Sequence, residues 1–509
     1  MTPGEVPVQN DLVPLVMLLA SLTPAVLIFF LREEQVRLRT VLNLGGALAK
    51  VGLVIWLVPP VVGGTRLEWR STLVPGIDLV LRAEPLSLFF AGLSAVLWLV
   101  TTVFAIGYFE QAPHRSRFFG FFSLCVTAST GIALSGNWVT FLIFYELLTL
   151  ATYPLVAHRQ TPEALAGART YLAYTLTGGV VLLLGVAWLT SLVGPVEFTD
   201  GGVEEVARLA QEQPVVATLV FGTILTGLAV KAALVPLHGW LPKAMVAPAP
   251  VSALLHAVAV VKAGVFGIVR LVHHTYGPEV AQALGVLLPL MLLACVTIVY
   301  GSVRALRQDS IKGRLAYSTV SQVAYVTLGV SMVSVLATTG GVVHIVHQGL
   351  MKITLFFCAG LFAEVLSLHK VSELPGVGRR MPLTSAAFTV AALGMIGLPP
   401  MAGFVSKWQL GLGSIEAGQS WVVVVLVLSS LLNAAYFLPV VYALWLRTPE
   451  EGVQWHVEQR RERPAVEAPK ALLLPAVVTA VLALAAGLLA AAPYAPLDMA
   501  RFIAELSYG

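Results

Sequence analysis

The sequence predicts an all-α integral membrane protein of about 14 transmembrane helices, at about 20 apolar residues per crossing of a bilayer core about 30 Å thick. Three observations carry that prediction. Hydrophobic residues make up 57% of the 509 residues and charged residues only 11%, against roughly 25% in soluble proteins. The mean hydropathy is +0.85, and the apolar residues fall in long runs separated by short charged segments. So few charges cannot cover a water-facing surface of this size, which excludes a soluble enzyme, a nucleic-acid binder, a secreted disulfide scaffold and a disordered hub.

In chain order the apolar runs cover 12–31, 40–62 and 85–109, then 118–135, 138–157, 171–193, 215–240 and 250–272, then 280–303, 315–335, 341–366, 384–412 and 421–445, and finally 472–491. The first is long, has no basic flank before it and no small-residue cleavage site after it, so it reads as a span and not as a signal peptide. Lysine and arginine placement orients the set, because positive charge gathers on the cytoplasmic side. The odd-numbered loops carry 20 of these residues, including Arg115, Arg159, Lys243, Lys312, Arg447, Arg460, Arg461 and Arg463, while the even loops and the tails carry 5 (Arg66, Arg70, Arg82, Arg208 and Arg501). That imbalance predicts an even number of spans with both termini outside, and puts the loop 195–214 with Asp200, Glu204, Glu205 and Glu212 on the outer face.

Two spans are interrupted. In the seventh, Lys231 is followed by Pro236, His238, Gly239 and Pro242; in the twelfth, Gly397, Pro399, Pro400 and Gly403 precede Lys407. Proline removes a backbone donor and blocks the preceding turn, so each segment unwinds or kinks there. One such site alone is as well read as an ordinary kink. Two, five spans apart and each beside a lysine, resemble the paired broken helices of an internally repeated transporter.

Ionisable residues fall inside spans at Lys50, Glu146, Lys231, His256, Lys262, Arg270, His344, His347, Lys352, Glu364 and Lys407. A mid-bilayer charge costs at least about 2.5 kcal/mol, so these residues face the protein interior and need partners or a function. Lys50 and Arg270 stand near predicted span ends and are expected to snorkel. Glu146 is either a structural carboxylate or half of an ion pair, and Lys231 lies where unwound backbone admits water. Making and breaking such a pair moves a proton on and off. His256 and Lys262, six residues apart, are about 120° and about 9 Å apart on a helix, which suits a bridged relay. His344, Gln348 and Lys352 form one polar stripe, with His347 a position off it. Cys125, Cys295 and Cys358 stand singly in apolar runs with no CxxC pair, so no resident cofactor or metal is expected and any redox chemistry belongs to a partner.

The pieces recur together in one family. KAALVPLHGWLPKAMVAPAPVSALLHAVAVVKAGVFGIVR (231–270), ALRQDSIKGRLAYSTVSQVAYV (305–326), HIVHQGLMKITLFF (344–357) and GMIGLPPMAGFVSKW (394–408) resemble the antiporter-like subunits shared by Mrp-type cation/proton antiporters, respiratory complex I and membrane-bound hydrogenases. The resemblance implies 14 helices with two inverted five-helix repeats broken at helices 7 and 12. Helices 1–3 would occupy 1–117, the first repeat 118–272, the second 280–445, and a cytoplasmic loop with the last helix 446–509. It also implies a proton-transfer chain of Glu146, Lys231, His256, Lys262, His344, Lys352 and Lys407, helix breaks at Pro236, Pro242, Pro399 and Pro400, and an entry near His238 and Lys243. Two residues depart from the family pattern: WLPKA places Lys243 where an acidic residue is common, and Gln348 replaces a frequent histidine.

The chain ends soon after its fourteenth predicted span, as the D-type subunit of an Mrp complex or the equivalent middle subunit of a redox-driven pump would; the wording WLPKAMVAP and LLHAVAVVK resembles the Mrp branch, so a D-type Mrp subunit moving protons and coupled to sodium is expected. A proton-pumping subunit of a redox complex, or the energising subunit of an inorganic-carbon uptake complex, is the alternative. No catalytic chemistry of its own is expected, only translocation. The only intramembrane carboxylates, Glu146 and Glu364, are too few for a sodium cage, so protons are the expected cargo of this chain. Its partners would be other membrane subunits in the lipid bilayer of a bacterial or archaeal plasma membrane, with no nucleic acid.

Overall fold

The computed structural model describes residues 8–110, 112–448 and 467–508; the predicted cytoplasmic cluster Arg460, Arg461 and Arg463 lies outside them. Two helices, α1 (Val13–Phe29) and α2 (Val36–Val62), lead into a strand pair absent from the expected all-α architecture. Strands β2 (Arg66–Val74) and β3 (Ile77–Ala83) pair antiparallel with Trp69 opposite Leu81, and β1 (Val8–Asn10) joins β2 in parallel. The turn is Pro75–Gly76, and Gly76 takes φ +83°, which a type II turn requires of its third residue.

The next helices are α3 (Pro85–Tyr108), α4 (Arg115–Leu134), α5 (Trp138–Val156) and α6 (Pro162–Val193). Thr161 starts α6 by accepting from the Ala164 amide just ahead of Pro162, which needs no donor at the first helical position. A short amphipathic helix, α7 (Glu204–Glu212), precedes α8 (Pro214–Lys231). Helix α8 stops at Lys231 itself, before Pro236, and the chain resumes helical form in α9 (Trp240–Lys243). The eighth predicted span is not continuous: α10 (Ala249–Ala257) and α11 (Val260–Val269) are separated at Val258 and Ala259, and α11 runs on as π-helix over Arg270–Tyr276.

The second half comprises α12 (Pro278–Ala283), α13 (Leu287–Leu306), α14 (Ile311–Val330), α15 (Val335–Leu366), α16 (Val377–Arg380), α17 (Pro382–Ile396), α18 (Ala402–Glu416) and α19 (Val422–Trp445). Helices α20 (Lys470–Leu488) and α21 (Pro496–Ser507) follow. Among the described residues, eleven helices are long and apolar enough to cross a membrane, and Val13–Phe29 and Pro382–Ile396 are shorter apolar helices. The protein is a multi-pass integral membrane protein. At 32 residues, α15 is the central strut, packed by α10, α14, α17, α18 and α20.

Polarity is arranged inside out. Leu183, Leu184, Val424 and Leu431 are more than half exposed on the outer helices, while Lys50, Lys231, Lys262, His344 and Lys352 are fully buried. Lys50 and Arg270, expected to snorkel, do not. Arg270 is paired with Glu84 and hydrogen-bonded to Ser87, and both its partners are supplied by residues at the start of α3. Lys50 donates to Ser21 Oγ at 2.6 Å and Thr130 Oγ1 at 2.7 Å, and lies over the Trp98 ring. Because Ser21 and Thr130 also donate to their own helix carbonyls, Lys50→Met leaves no hydroxyl stranded. We expect that variant to match the wild-type melting temperature and transport rate, since replacing a buried charge by an apolar side chain is often neutral or stabilising; a thermal melt of the purified complex checks it. Glu364, expected deep, is exposed near the end of α15.

Candidate functional site

Both helix stops free backbone carbonyls, and protein groups satisfy them, as a lipid-embedded break requires. At the first, the Trp240 indole donates to Val230 O at 2.7 Å, and Thr297 Oγ1 accepts from the Val235 amide at 3.1 Å. At the second, Lys407 Nζ donates to Met395 O at 3.2 Å and Ile396 O at 2.8 Å, and Asn433 also donates to Met395 O, at 3.1 Å. A third donor contact runs from Lys407 to Ser430 Oγ at 3.0 Å. Pro236 is exposed and Pro242 half-buried on either side of His238; Pro399 and Pro400, joined by a cis bond, are exposed between α17 and α18.

At the first stop, Lys231 donates to the Tyr145 carbonyl and sits over the Tyr145 ring. The neighbouring Glu146 is within electrostatic reach of Lys231, but both its carboxylate oxygens are buried without a hydrogen-bond partner. The expected ion pair is therefore a through-space neighbour here and not a contact. The carboxylate lies against Gly179 of α6, where a methyl would overlap Oε1. Gly179→Ala should displace Glu146 and cost about 1–3 kcal/mol by overpacking. A fall in both melting temperature and proton flux is the expected outcome, and an unchanged flux would show that the position of Glu146 does not matter.

Lys262 reaches the same region because α11 packs directly on the break. A methyl on Gly264 would stand 2.7 Å from the Lys231 carbonyl carbon. The Lys262 ammonium is buried and has no hydrogen-bond partner; its charge reaches His344 and Lys352 on α15. His344 Nδ1 is 2.8 Å from Ser406 Oγ, one residue before Lys407. Its ring is 5.1 Å from that of Tyr325, and the Lys407 ammonium lies over the same Tyr325 ring at 5.6 Å. Lys352 donates to Ser318 and to Leu315 O at 3.1 Å. His347, Gln348 and Gln322 are buried with none of their side-chain polar atoms paired. Unpaired buried polar groups are rare and costly, and a run of them marks where water or protons are to be accommodated.

His256 stands apart from Lys262 across the break at Val258, so the simple helical arithmetic for that pair does not apply. Its Nε2 faces Met245 Sδ at 3.2 Å and its ring lies 4.6 Å from Phe356. His238 is half-buried, 4.9 Å from the Tyr300 ring. Lys243 is exposed and lines a cavity of about 540 Å³ with Tyr108, Arg159, Arg304, Lys312 and Glu364. The cavity beside Lys407 is instead apolar, about 540 Å³, with Phe404, Trp408, Leu412 and Val427 among its walls. Among the described residues no group of three or more His, Cys, Asp or Glu is placed to hold a metal ion. Sequence reasoning missed Ser318, Gln322, Tyr325, Ser406 and Asn433; a polar side chain in a long apolar run was the available signal for Gln322 and Asn433.

A family model described as NADH:quinone oxidoreductase/Mrp antiporter, TM, matches residues 135–433. NADH-quinone oxidoreductase subunit N of Desulforudis audaxviator is 36% identical over 423 residues, 80% of this chain and 81% of that relative. A probable K(+)/H(+) antiporter protein of Rhizobium meliloti is 32% identical over 73% of this chain but only 37% of its own length. Among solved structures, a chain of the Mrp complex from Dietzia sp. superposes with TM-score 0.85 at 23% identity, covering 98% of this chain and 97% of that one. A chain of the archaeal membrane-bound sulfane sulfur reductase, a respiratory membrane complex, gives TM-score 0.85 at 23% identity, covering 98% and 99%. At that identity the two structures establish a shared fold.

Proposed function

Because the chain belongs to the NADH:quinone oxidoreductase/Mrp antiporter transmembrane family, we propose that it is a proton-translocating subunit of a multisubunit membrane complex, and specifically of a monovalent cation (Na+)/proton antiporter. The observation that carries the proposal is the buried line of Lys231, Lys262, His344 and Lys407, four titratable groups between two helix stops with no carboxylate among the described residues hydrogen-bonded to any of them. Structural charges inside a membrane protein are normally neutralised in place. Ionisable residues without a counter-charge on the inside of a bundle mark proton and ion pathways.

In this reading Glu146 modulates Lys231, the proton passes by Lys262 to the α15 stripe of His344 and Lys352, and Lys407 terminates the buried line. His256 lies beside this line, and His238 and Lys243 stand at the basic entry. The eleven long helices, joined by α1, α14 and the broken α17–α18 pair, make the 14 crossings. The units 1–117, 118–272, 280–445 and 446–509 are then the leading helices, two inverted repeats and the closing loop and helix. Both termini lie outside a bacterial or archaeal plasma membrane.

A redox-driven complex is the second reading, favoured by the 36% identity to a quinone oxidoreductase subunit over most of both chains. Purification with partners intact separates the two. Proton flux in vesicles that depends on a sodium gradient supports the antiporter, whereas flux driven by electron donors in a preparation containing metal-cluster subunits supports the pump. No proton movement under either drive overturns both.

A further inference from the structure

A second cluster of titratable side chains lies on the face that carries the strand pair, at the far end of the helix bearing Lys262. There α11 passes into seven residues of π-helix, Arg270–Tyr276, a conformation frequent at functional sites. Trp138 Nε1 donates to Thr275 Oγ1 at 3.1 Å, and Thr275 donates to Arg270 O at 3.0 Å, which fixes the wide turn. His273 is fully buried and neither of its ring nitrogens has a hydrogen-bond partner. Its ring stands edge-on to Tyr508, with centroids 5.8 Å apart.

His274 is 2% exposed and has Nε2 3.3 Å from Asp200 Oδ1, while its Nδ1 is buried and unpaired. Asp200 has a 20% exposed side chain and also pairs with Arg66. Burial pushes the Asp200 carboxyl up, but the hydrogen bond and charge of His274, with the charges of Arg66 and Arg270, hold it below the ordinary carboxylate range. Arg270 is itself neutralised by Glu84. The titratable and charged groups around His274 are thus Asp200, Arg66, His273 and the Arg270–Glu84 pair.

An imidazole buried with both nitrogens unpaired is costly, and a phenyl ring would fill the same space without that cost. We propose that His273, His274 and Asp200 form a proton-transfer terminus on the hairpin face, exchanging protons between the buried line and water. This rests on the proton-translocating reading. The step is a proton transfer alone: a proton leaving the buried line is taken up at His274 Nδ1, the imidazolium gives up its Nε2 proton to the Asp200 carboxylate, and the carboxylic acid releases it to water. The Tyr508 hydroxyl leads inward from His273, lying 3.0 Å from Thr338 Oγ1. Thr338 stands six residues before His344 on α15, about 9 Å along the helix.

The test uses the intact complex in sealed vesicles with a pH-reporting dye. His273→Phe keeps the ring packing on Tyr508, and His274→Gln keeps a donor toward Asp200, yet neither side chain titrates. Each is expected to lower proton flux at least tenfold with the complex still assembled, while Asp200→Glu retains it. Losses smaller than tenfold in both histidine variants overturn the terminus, and if one variant does not assemble, the other decides by the same threshold. A wild-type complex that moves no protons overturns the reading beneath it, which is a different result.

Discussion

Lys231→Ala is expected to abolish proton flux in reconstituted vesicles, a loss of about a hundredfold or more, the scale of a lost acid–base group, with the complex still assembled. The lysine caps no helix end that others do not also hold, since Trp240 occupies the Val230 carbonyl, so its removal takes away a titrating group more than a support. The gap left is beside irregular backbone that collapses more readily than a helical core. Lys231→Arg is expected to fail as completely, because a guanidinium stays protonated throughout the usable pH range. Proton flux near wild type in either variant would remove Lys231 from the path.

Lys407→Gln carries the second largest expected effect, a loss of about a hundredfold. The structure sharpens this test, because Lys407 does hold the freed carbonyls of Met395 and Ile396. If that were its whole role, glutamine, which also donates to carbonyls, would preserve transport. The relay role predicts loss of flux with assembly and melting temperature little changed. A glutamine variant that transports normally would end the buried line at His344.

How much of this was legible beforehand depends on where the signal lay. The two helix stops were readable because proline and glycine announce them locally, at Pro236 and at Pro399 and Pro400. The break at Val258 and Ala259 was not, because LLHAVAVVK contains no breaker. It is produced by what packs around it, α15 against α10 and α8 against α11. The burial of Arg270 was equally hidden, since its neutralising Glu84 is remote in sequence and stands just outside a predicted span. The strand pair is hidden for a different reason. In RLEWRSTLV the alternation of apolar and polar residues is plain, but a reading ruled in units of 20 residues treats anything between spans as a loop. The buried lysines were found because charge in an apolar run is conspicuous; their hydroxyl and aromatic partners were not, because serine and tyrosine are ordinary in such runs.

The three contacts of Lys407 have a consequence of their own. An ammonium has three hydrogens, and here they meet three acceptors, the carbonyls of Met395 and Ile396 and the Ser430 hydroxyl. An uncharged amine has two hydrogens and one lone pair. The two carbonyls can only accept, whereas a hydroxyl works in either sense, so departure of the proton leaves both carbonyls occupied and turns the Ser430 O–H round to point at the nitrogen. The end of α17 is then held identically in both charge states, and the difference between them is written in the direction of a single O–H bond.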